Sequence, residues 1–285
     1  MCRLVLMNKN GEKEIEKNYG LTEFLGYLER SFGGHGNGVS LLKNGKVICL
    51  QKGVNLSVKE ISNTIKKNNY DWCIFHTILA SVGSKSDKNC HPFRIGTEVM
   101  AMNGTERTEK LLTKVKDITD TEAILKVKEK FDLEIPALKN LSSIFVGFSK
   151  GKPYIVANNI HNIKLLYKKS NNSIVFASEF PDKFKKNIYA PKEEFIWNTG
   201  PIEMSNFEKY VKEVPTRFYP SYINTRGYGQ TSFADYNDEE LLDDAYYQEY
   251  LEELEEAERQ ELEKYEKERL MYEKMLEEGM MKDAA

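Results

Sequence analysis

The chain is short of the residues that hold proteins together by covalent or metal staples. Of 285 residues only four are cysteine, at positions 2, 49, 73 and 90, and no two form a Cys-x-x-Cys pair. Neither a disulfide framework nor a four-cysteine zinc site is therefore spelled out. Cys49 and Cys73 stand in apolar, strand-like runs and read as buried thiols of a reducing compartment. Histidine is as scarce, four residues with no close pair, so the expectation is a chain with no metal and no cofactor. No run approaches the roughly 18–20 apolar residues of a membrane span. The terminus Met1 to Asn8 is too short for a signal peptide. The expected setting is soluble, cytoplasmic and away from membranes. The glycine-rich segment Gly33-Gly34-His35-Gly36-Asn37-Gly38 opens a strand and lacks the Gly-Lys-Ser/Thr that starts the helix of a P-loop. It is read either as a flexible turn or as backbone wrapped round the amino terminus.

Apolar residues make up 40% of the chain and aromatic residues 11%, enough to bury a sizeable core. The net charge of −3 hides a division: residues 235–285 carry 20 acidic and 6 basic side chains, leaving 24 acidic and 35 basic in the first 234. A basic body thus precedes an acidic tail. The composition divides the chain at 2–190, a folded domain, 191–234, an irregular extension and polar linker, and 235–285. From 237 to 278 there is no Gly or Pro, which favours one long helix. Its apolar stripe, Leu251, Leu254, Ala257, Leu262, Tyr265, Tyr272 and Leu276, is narrow and interrupted at Glu258 and Arg269. It suits a coiled coil, a docking helix or a solvated rod.

Within the body, Leu4 to Met7 reads as a strand ending in an Asn8-Lys9-Asn10-Gly11 turn. A helix is expected over Leu21 to Phe32, with Leu21, Phe24, Leu25 and Leu28 on one face. Leu41 to Leu50 is a hairpin turned at Asn44-Gly45. Ser57 and Glu60 form a capping box, and Asp71 to Phe75 is a buried strand. A basic helix is expected from Glu106 to Val115 and another from Thr121 to Phe131, with Asp120 at its N-cap. Four strands from Ser142 to Ala177 read as a β-meander. Strands followed by helices, then more strands, suit two antiparallel sheets covered by helices.

Cys2 becomes the amino terminus once Met1 is removed. A terminal thiol has its own amine beside it, and an α-amino group titrates at roughly pH 7.7–8.0, so nucleophile and base come from one residue. The attacked carbonyl then needs donors for its developing charge. Asn103-Gly104, after the apolar run Val99 to Met102, offers a side-chain NH2 beside a backbone N–H. The same dipeptide is also an ordinary turn. His76 is read as structural, because the terminal amine already supplies the base.

Cys2, His76-Thr77-x-x-Ala80-Ser81, Gly83-x-x-Ser86-x-x-Asn89-x-His91-Pro92, Asn103-Gly104, Thr119-Asp120-Thr121-Glu122 and a late Ala177-Ser178-Glu179 fall in a fixed order. In that order and spacing the first 190 residues resemble the glutaminase domain of class II glutamine amidotransferases, which are N-terminal-nucleophile hydrolases. The resemblance implies an α+β, four-layer αββα sandwich of two antiparallel sheets, to which this chain adds the long acidic helix. It implies that Cys2 is the nucleophile, that Asn103 and Gly104 hold the oxyanion, and that Asp120 binds the substrate amine, with Ser81 and Val82 in the substrate pocket. Hydrolysis of the glutamine amide through a thioester is the implied reaction.

One position departs from the pattern. Where the family has an arginine for the carboxylate of glutamine, this chain has Ile78. Ser81 and Val82 likewise stand for a threonine and a histidine. A cation from elsewhere, Lys85 or Arg94 being nearest in sequence, replaces the arginine, or the substrate is a related amide. A catalytically altered module that acts in assembly through its acidic helix is the alternative. The chain has no room for an ammonia acceptor, so the acceptor is expected on a protein partner or a second copy engaged by 235–285. The basic body hints at nucleic acid.

Overall fold

Strand β1 (Arg3–Asn8) runs through the middle of the larger sheet, with all six residues buried. In the computed structural model, residues 2–79, 84–106, 118–184 and 187–210 are described. The chain divides into two units, Met1–Val214 and Pro215–Ala285. The second, the tail and its expected helix, lies outside the described residues, as does most of the basic helix expected after Glu106.

The Asn8-to-Gly11 signal starts a helix rather than a turn. Helix α1 (Lys9–Asn18) follows β1 at once, and the Asn8 side chain accepts from the Gly11 N–H at 2.7 Å as an N-cap. The two uses share a cause, since an Asn side chain that captures a nearby backbone N–H makes an Asx turn or a cap equally well. Helix α2 (Leu21–Phe32) buries Leu21, Phe24, Leu25 and Leu28 as the periodicity requires. Strands β2 (Asn37–Lys43) and β3 (Lys46–Gly53) meet at Asn44-Gly45, both with positive φ. Helix α3 (Val58–Lys67) starts on the Ser57/Glu60 capping box, with both reciprocal bonds present. Strand β4 (Trp72–Thr77) then enters between β1 and β2.

The smaller sheet takes β5 (Phe93–Ile95), β6 (Glu98–Asn103), β7 (Ile144–Ser149), β8 (Lys152–Ala157) and β12 (Phe195–Trp197). Helix α4 (Asp120–Lys130) packs on β5 and β6. Strands β9 (Lys164–Lys168), β10 (Ser173–Ala177), β11 (Ile188–Pro191) and β13 (Phe207–Lys209) return to the larger sheet. The expected meander is thus two hairpins in two sheets: β7–β8 belongs to the smaller, β9–β10 to the larger. Both sheets also take strands from beyond residue 190, where the folded domain was expected to end.

Among the described residues every strand pairing is antiparallel. Alternation along β1 sorts its side chains between two cores. Val5 and Met7 face α1, α2 and α3, in company with Phe24, Ile61 and Phe75. Leu4 and Leu6 face the second sheet, against Val99, Val146 and Phe148. A third core lies between the second sheet and α4, around Phe145, Leu125 and Tyr154. Helices, sheet, sheet, helix: the architecture is α+β in four layers. Cys73 lies in the first of these cores, whereas Cys49, on the edge strand β3, is only half-buried.

Candidate active site

The site lies at one end of the space between the sheets, where β1 begins. Cys2 is 8% exposed. The Leu79 N–H donates to its Sγ at 3.4 Å and the thiol points at the Leu79 carbonyl at 3.6 Å. Arg3 holds the adjoining backbone: its Nη1 donates to the Cys2 carbonyl at 3.4 Å, its Nε to Ser31 Oγ at 3.2 Å, and its guanidinium covers the Phe32 ring at 4.4 Å. Burial pushes the Cys2 thiol pKa up, the Leu79 backbone and the positive charges of the amino terminus and Arg3 oppose this, and the charge of Asp120 adds to the rise. The thiol is therefore protonated at neutral pH and needs a base to become a nucleophile.

Asn103 ends β6 on the opposing sheet and is buried. Its Nδ2 donates to Ser178 Oγ at 3.3 Å, and the same oxygen accepts the Leu4 N–H at 3.0 Å. One hydroxyl thus ties the end of β6 to the backbone two residues from Cys2. Asn103 Oδ1 is buried with no hydrogen-bond partner among the described residues. Gly104 follows at φ +141°, and a Cβ there would come within 2.2 Å of Ser143 Oγ. Only glycine fits that backbone conformation and spacing.

Asp120 is the first residue of α4, not its cap. Thr119 is the N-cap, its side chain accepting from the Glu122 N–H, while the Asp120 carboxylate accepts the Glu106 N–H at 2.9 Å and the Thr121 N–H at 2.8 Å. A carboxylate in the first turn is favoured by the helix dipole. Its charge reaches the Cys2 thiol. Cys2, Asn103 and Asp120 are thus brought to one region. Ser81 and Val82 lie outside the described residues.

The surroundings of Ile78 follow from strand register. Arg3 pairs with Thr77, Thr77 with Asn37, and Asn37 with Gly53. One residue further on, Cys2, Ile78, Gly36 and Val54 therefore fall in a row, and the Ile78 N–H donates to the Gly36 carbonyl at 2.9 Å. Facing residues of an antiparallel sheet point the same way. Gly36 has no side chain to fill its place, and Cys90 Sγ does so, 2.4 Å from where a Cβ would stand. Cys2, Ile78 and Cys90 form one buried apolar cluster flanked by Val54. Two residues further along the strand, on the same face, Gly38 lets the His91 carbonyl come close to where a Cβ would stand. The glycine segment is thus a platform on which the loop carrying Cys90 and His91 lies. Gly38→Ala is expected to destabilise the fold by about 1–3 kcal/mol through overpacking against backbone, read as a lower Tm than that of Gly200→Ala, where the nearest atom is 3.9 Å away.

Neither cation nearest in sequence joins this cluster. Arg94 is exposed and donates to the Gly96 carbonyl at 2.9 Å, and Lys85 is exposed beside His35. Lys52 lies closer to Cys90 in charge terms, but its ammonium donates to the Lys88 carbonyl at 2.7 Å and sits 3.9 Å from the Phe93 ring centre.

His76 faces the same way as Ile78, two residues back along β4 and paired with Leu4 and Gly38, and its hydrogen bonds tie the two sheets together. Its Nε2 donates to the Met102 carbonyl at 3.0 Å, bridging the sheets, and lies 3.2 Å from His91 Nδ1, which accepts the Met102 N–H at 3.4 Å. Both rings are neutral in that pattern. Burial pushes the His76 pKa down to about 4, and burial together with the charges of His76 and Lys52 holds His91 well below its usual range. The unfolded chain therefore takes up protons first as pH falls through 6.5, and stability is lost from there down to about pH 4. His76 alone contributes about 3 kcal/mol to that slope. Urea denaturation of His76→Gln across this window should show a flatter dependence on pH. Among the described residues no group of His, Cys, Asp or Glu could hold a metal ion, and no helix is long and apolar enough to cross a membrane.

Ser178, Cys90, Val54 and Ser143 were not singled out as site residues from the sequence, although Ser178 stood in the Ala177-Ser178-Glu179 echo. Two facing antiparallel sheets with outer helices, and a cysteine just before a strand in the middle of the larger sheet, give the four-layer α+β arrangement. Among solved structures, the chain is similar to a glutamine phosphoribosylpyrophosphate amidotransferase from B. subtilis complexed with ADP and GMP. The TM-score is 0.52 at 15% identity, over 73% of this chain and 48% of that one. An allosteric regulatory enzyme of purine biosynthesis gives 0.46 at 18% identity, over 63% and 42%. A glutamine aminotransferase class-II domain protein from Silicibacter pomeroyi gives 0.41 at 13% identity, over 70% and 95%. The likeness is one of fold, and this chain spans about half the length of the B. subtilis protein. No protein-family model matches the sequence, nor does any curated protein.

Proposed function

We propose that this chain hydrolyses a carboxamide, of the glutamine side-chain type, through a thioester on Cys2. With Met1 removed, the Cys2 amine takes the thiol proton, which the raised thiol pKa makes necessary. Sγ attacks the carbonyl carbon, and Asn103 Nδ2 with the Gly104 N–H receives the developing oxyanion. The amine returns its proton to the departing ammonia, and water then releases the acid from the thioester. The buried, unpartnered Oδ1 of Asn103 is an acceptor suited to a terminal ammonium. Asp120 binds the amine of the substrate.

The observation that carries this function is the Ser178 hydroxyl shared by Asn103 and Leu4, which joins the oxyanion donor to the strand that starts at Cys2. The likeness of fold supports it. Ammonia leaving the site would be used by an acceptor on a protein partner or second copy, with the acidic tail as the docking element and a nucleic-acid-modifying partner as one candidate for the basic body. The test is an intact-mass measurement for loss of Met1, followed by labelling with an electrophilic glutamine analogue. Labelling of Cys2 only in processed protein is expected. Processed protein that neither labels nor releases ammonia from any amide would remove the hydrolase function.

A further inference from the structure

The acyl chain of any amide attacked by Cys2 must lie against what borders the thiol. On one side the structure places an apolar row: Ile78 directly across from Cys2, then Cys90 over Gly36, then Val54. With strands about 4.8 Å apart, the row runs about 14 Å. A carboxylate laid on it would lose its water and gain no donor from the side chains of that row. The described cations nearby are engaged elsewhere: Arg3 on Ser31, the Cys2 carbonyl and Phe32, Lys52 on the Lys88 carbonyl and Phe93. The Asp120 carboxylate, kept in place by two backbone N–H groups, is near enough for its charge to act on the thiol. The apolar row thus offers a carboxylate no partner among the described residues, while the Asp120 carboxylate offers one to an ammonium.

We infer, resting on the amide hydrolysis proposed above, that the substrate is a carboxamide that carries a protonated amine but no free carboxylate beside it. The amino-terminal glutaminyl residue of a peptide is the class that fits. Its ammonium meets Asp120, and its α-carbonyl, uncharged because it continues as a peptide bond, lies on Ile78 and Cys90. The bond from Sγ to the side-chain carbonyl forms and the bond from that carbon to the amide nitrogen breaks. Ammonia leaves with the proton held by the Cys2 amine, and one water converts the thioester to a side-chain carboxylate. The products are ammonia and a peptide that begins with glutamate.

The test compares ammonia release by processed protein from L-glutamine, L-glutamine N-methylamide and N-acetyl-L-glutamine N-methylamide. Cys2→Ala protein supplies the background for spontaneous ring closure. The methylamide is expected to exceed free glutamine in kcat/KM by about 100-fold, the scale of one charged group left without its hydrogen bonds, and to exceed the acetylated compound similarly. Ile78→Arg should narrow or reverse the first ratio. Free glutamine used as well as the methylamide overturns the inference and leaves an ordinary glutaminase. Equal use of the acetylated compound also overturns it, by removing the role of the amine. No ammonia from any of the three, with no alkylation of Cys2, strikes the hydrolase function itself and this inference with it.

Discussion

Cys2→Ala is expected to lower ammonia release by about 10⁴-fold or more, since it removes the proposed nucleophile. Cys90 shares the apolar cluster, but the Ile78 position stands between the two cysteines in the row, and the Cys90 thiol lies on the Ser86 carbonyl at 3.5 Å. The variant should fold. Cys2 stands just before β1, and alanine keeps the Cβ packed against Ile78. With an α-amine as the proposed base, the wild-type rate should climb with pH to a plateau near the roughly 7.7–8.0 at which such groups titrate. Retention of Met1 should be as damaging as the substitution, since it moves the amine off Cys2. A Cys2→Ala protein that releases ammonia at the wild-type rate would refute the thioester route.

Asn103→Ala should lower kcat by about 10²–10³-fold with little change in KM, the loss measured when one oxyanion donor is removed from other hydrolases. The structural cost is smaller. The bond from Asn103 to Ser178 is lost, but Ser178 keeps the Leu4 N–H, so folding stability should fall by about 1 kcal/mol. Asn103→Asp separates the two roles, because it keeps the volume and the acceptor oxygen while removing the NH2. A kcat as low in Asn103→Asp as in Asn103→Ala identifies the donor as what matters. Wild-type kcat in Asn103→Asp would assign the residue to packing alone.

Local signals were legible where a few adjacent residues settle the backbone. The Ser57/Glu60 capping box and the Asn44-Gly45 turn stand where their side chains and positive φ demand. Helix α2 shows the apolar face that its periodicity required. Errors arose where one local chemistry serves two structures. Asn8 could cap or turn, and Thr119 and Asp120 could each cap α4. The assignment of β7 to β10 to one meander failed for a different reason: a strand's partner is chosen by the core it must cover, and alternating apolar residues do not name that core.

The same division runs through the site. Cys2, Asn103-Gly104 and Asp120 were visible in the chain because each carries its chemistry in its own side chain or backbone, in a fixed order. That they converge was not visible, and neither was the company they keep. The apolar row from Cys2 to Val54, the Cys90 thiol filling the space over Gly36, and the hydroxyl of Ser178 joining the two sheets are contacts between segments far apart in sequence. Residue types and their order alone picked out the proposed nucleophile and oxyanion donors, and the layered class of the fold. Tertiary structure alone decided what borders the nucleophile, because strand register and the absence of two glycine side chains determine which distant residues touch.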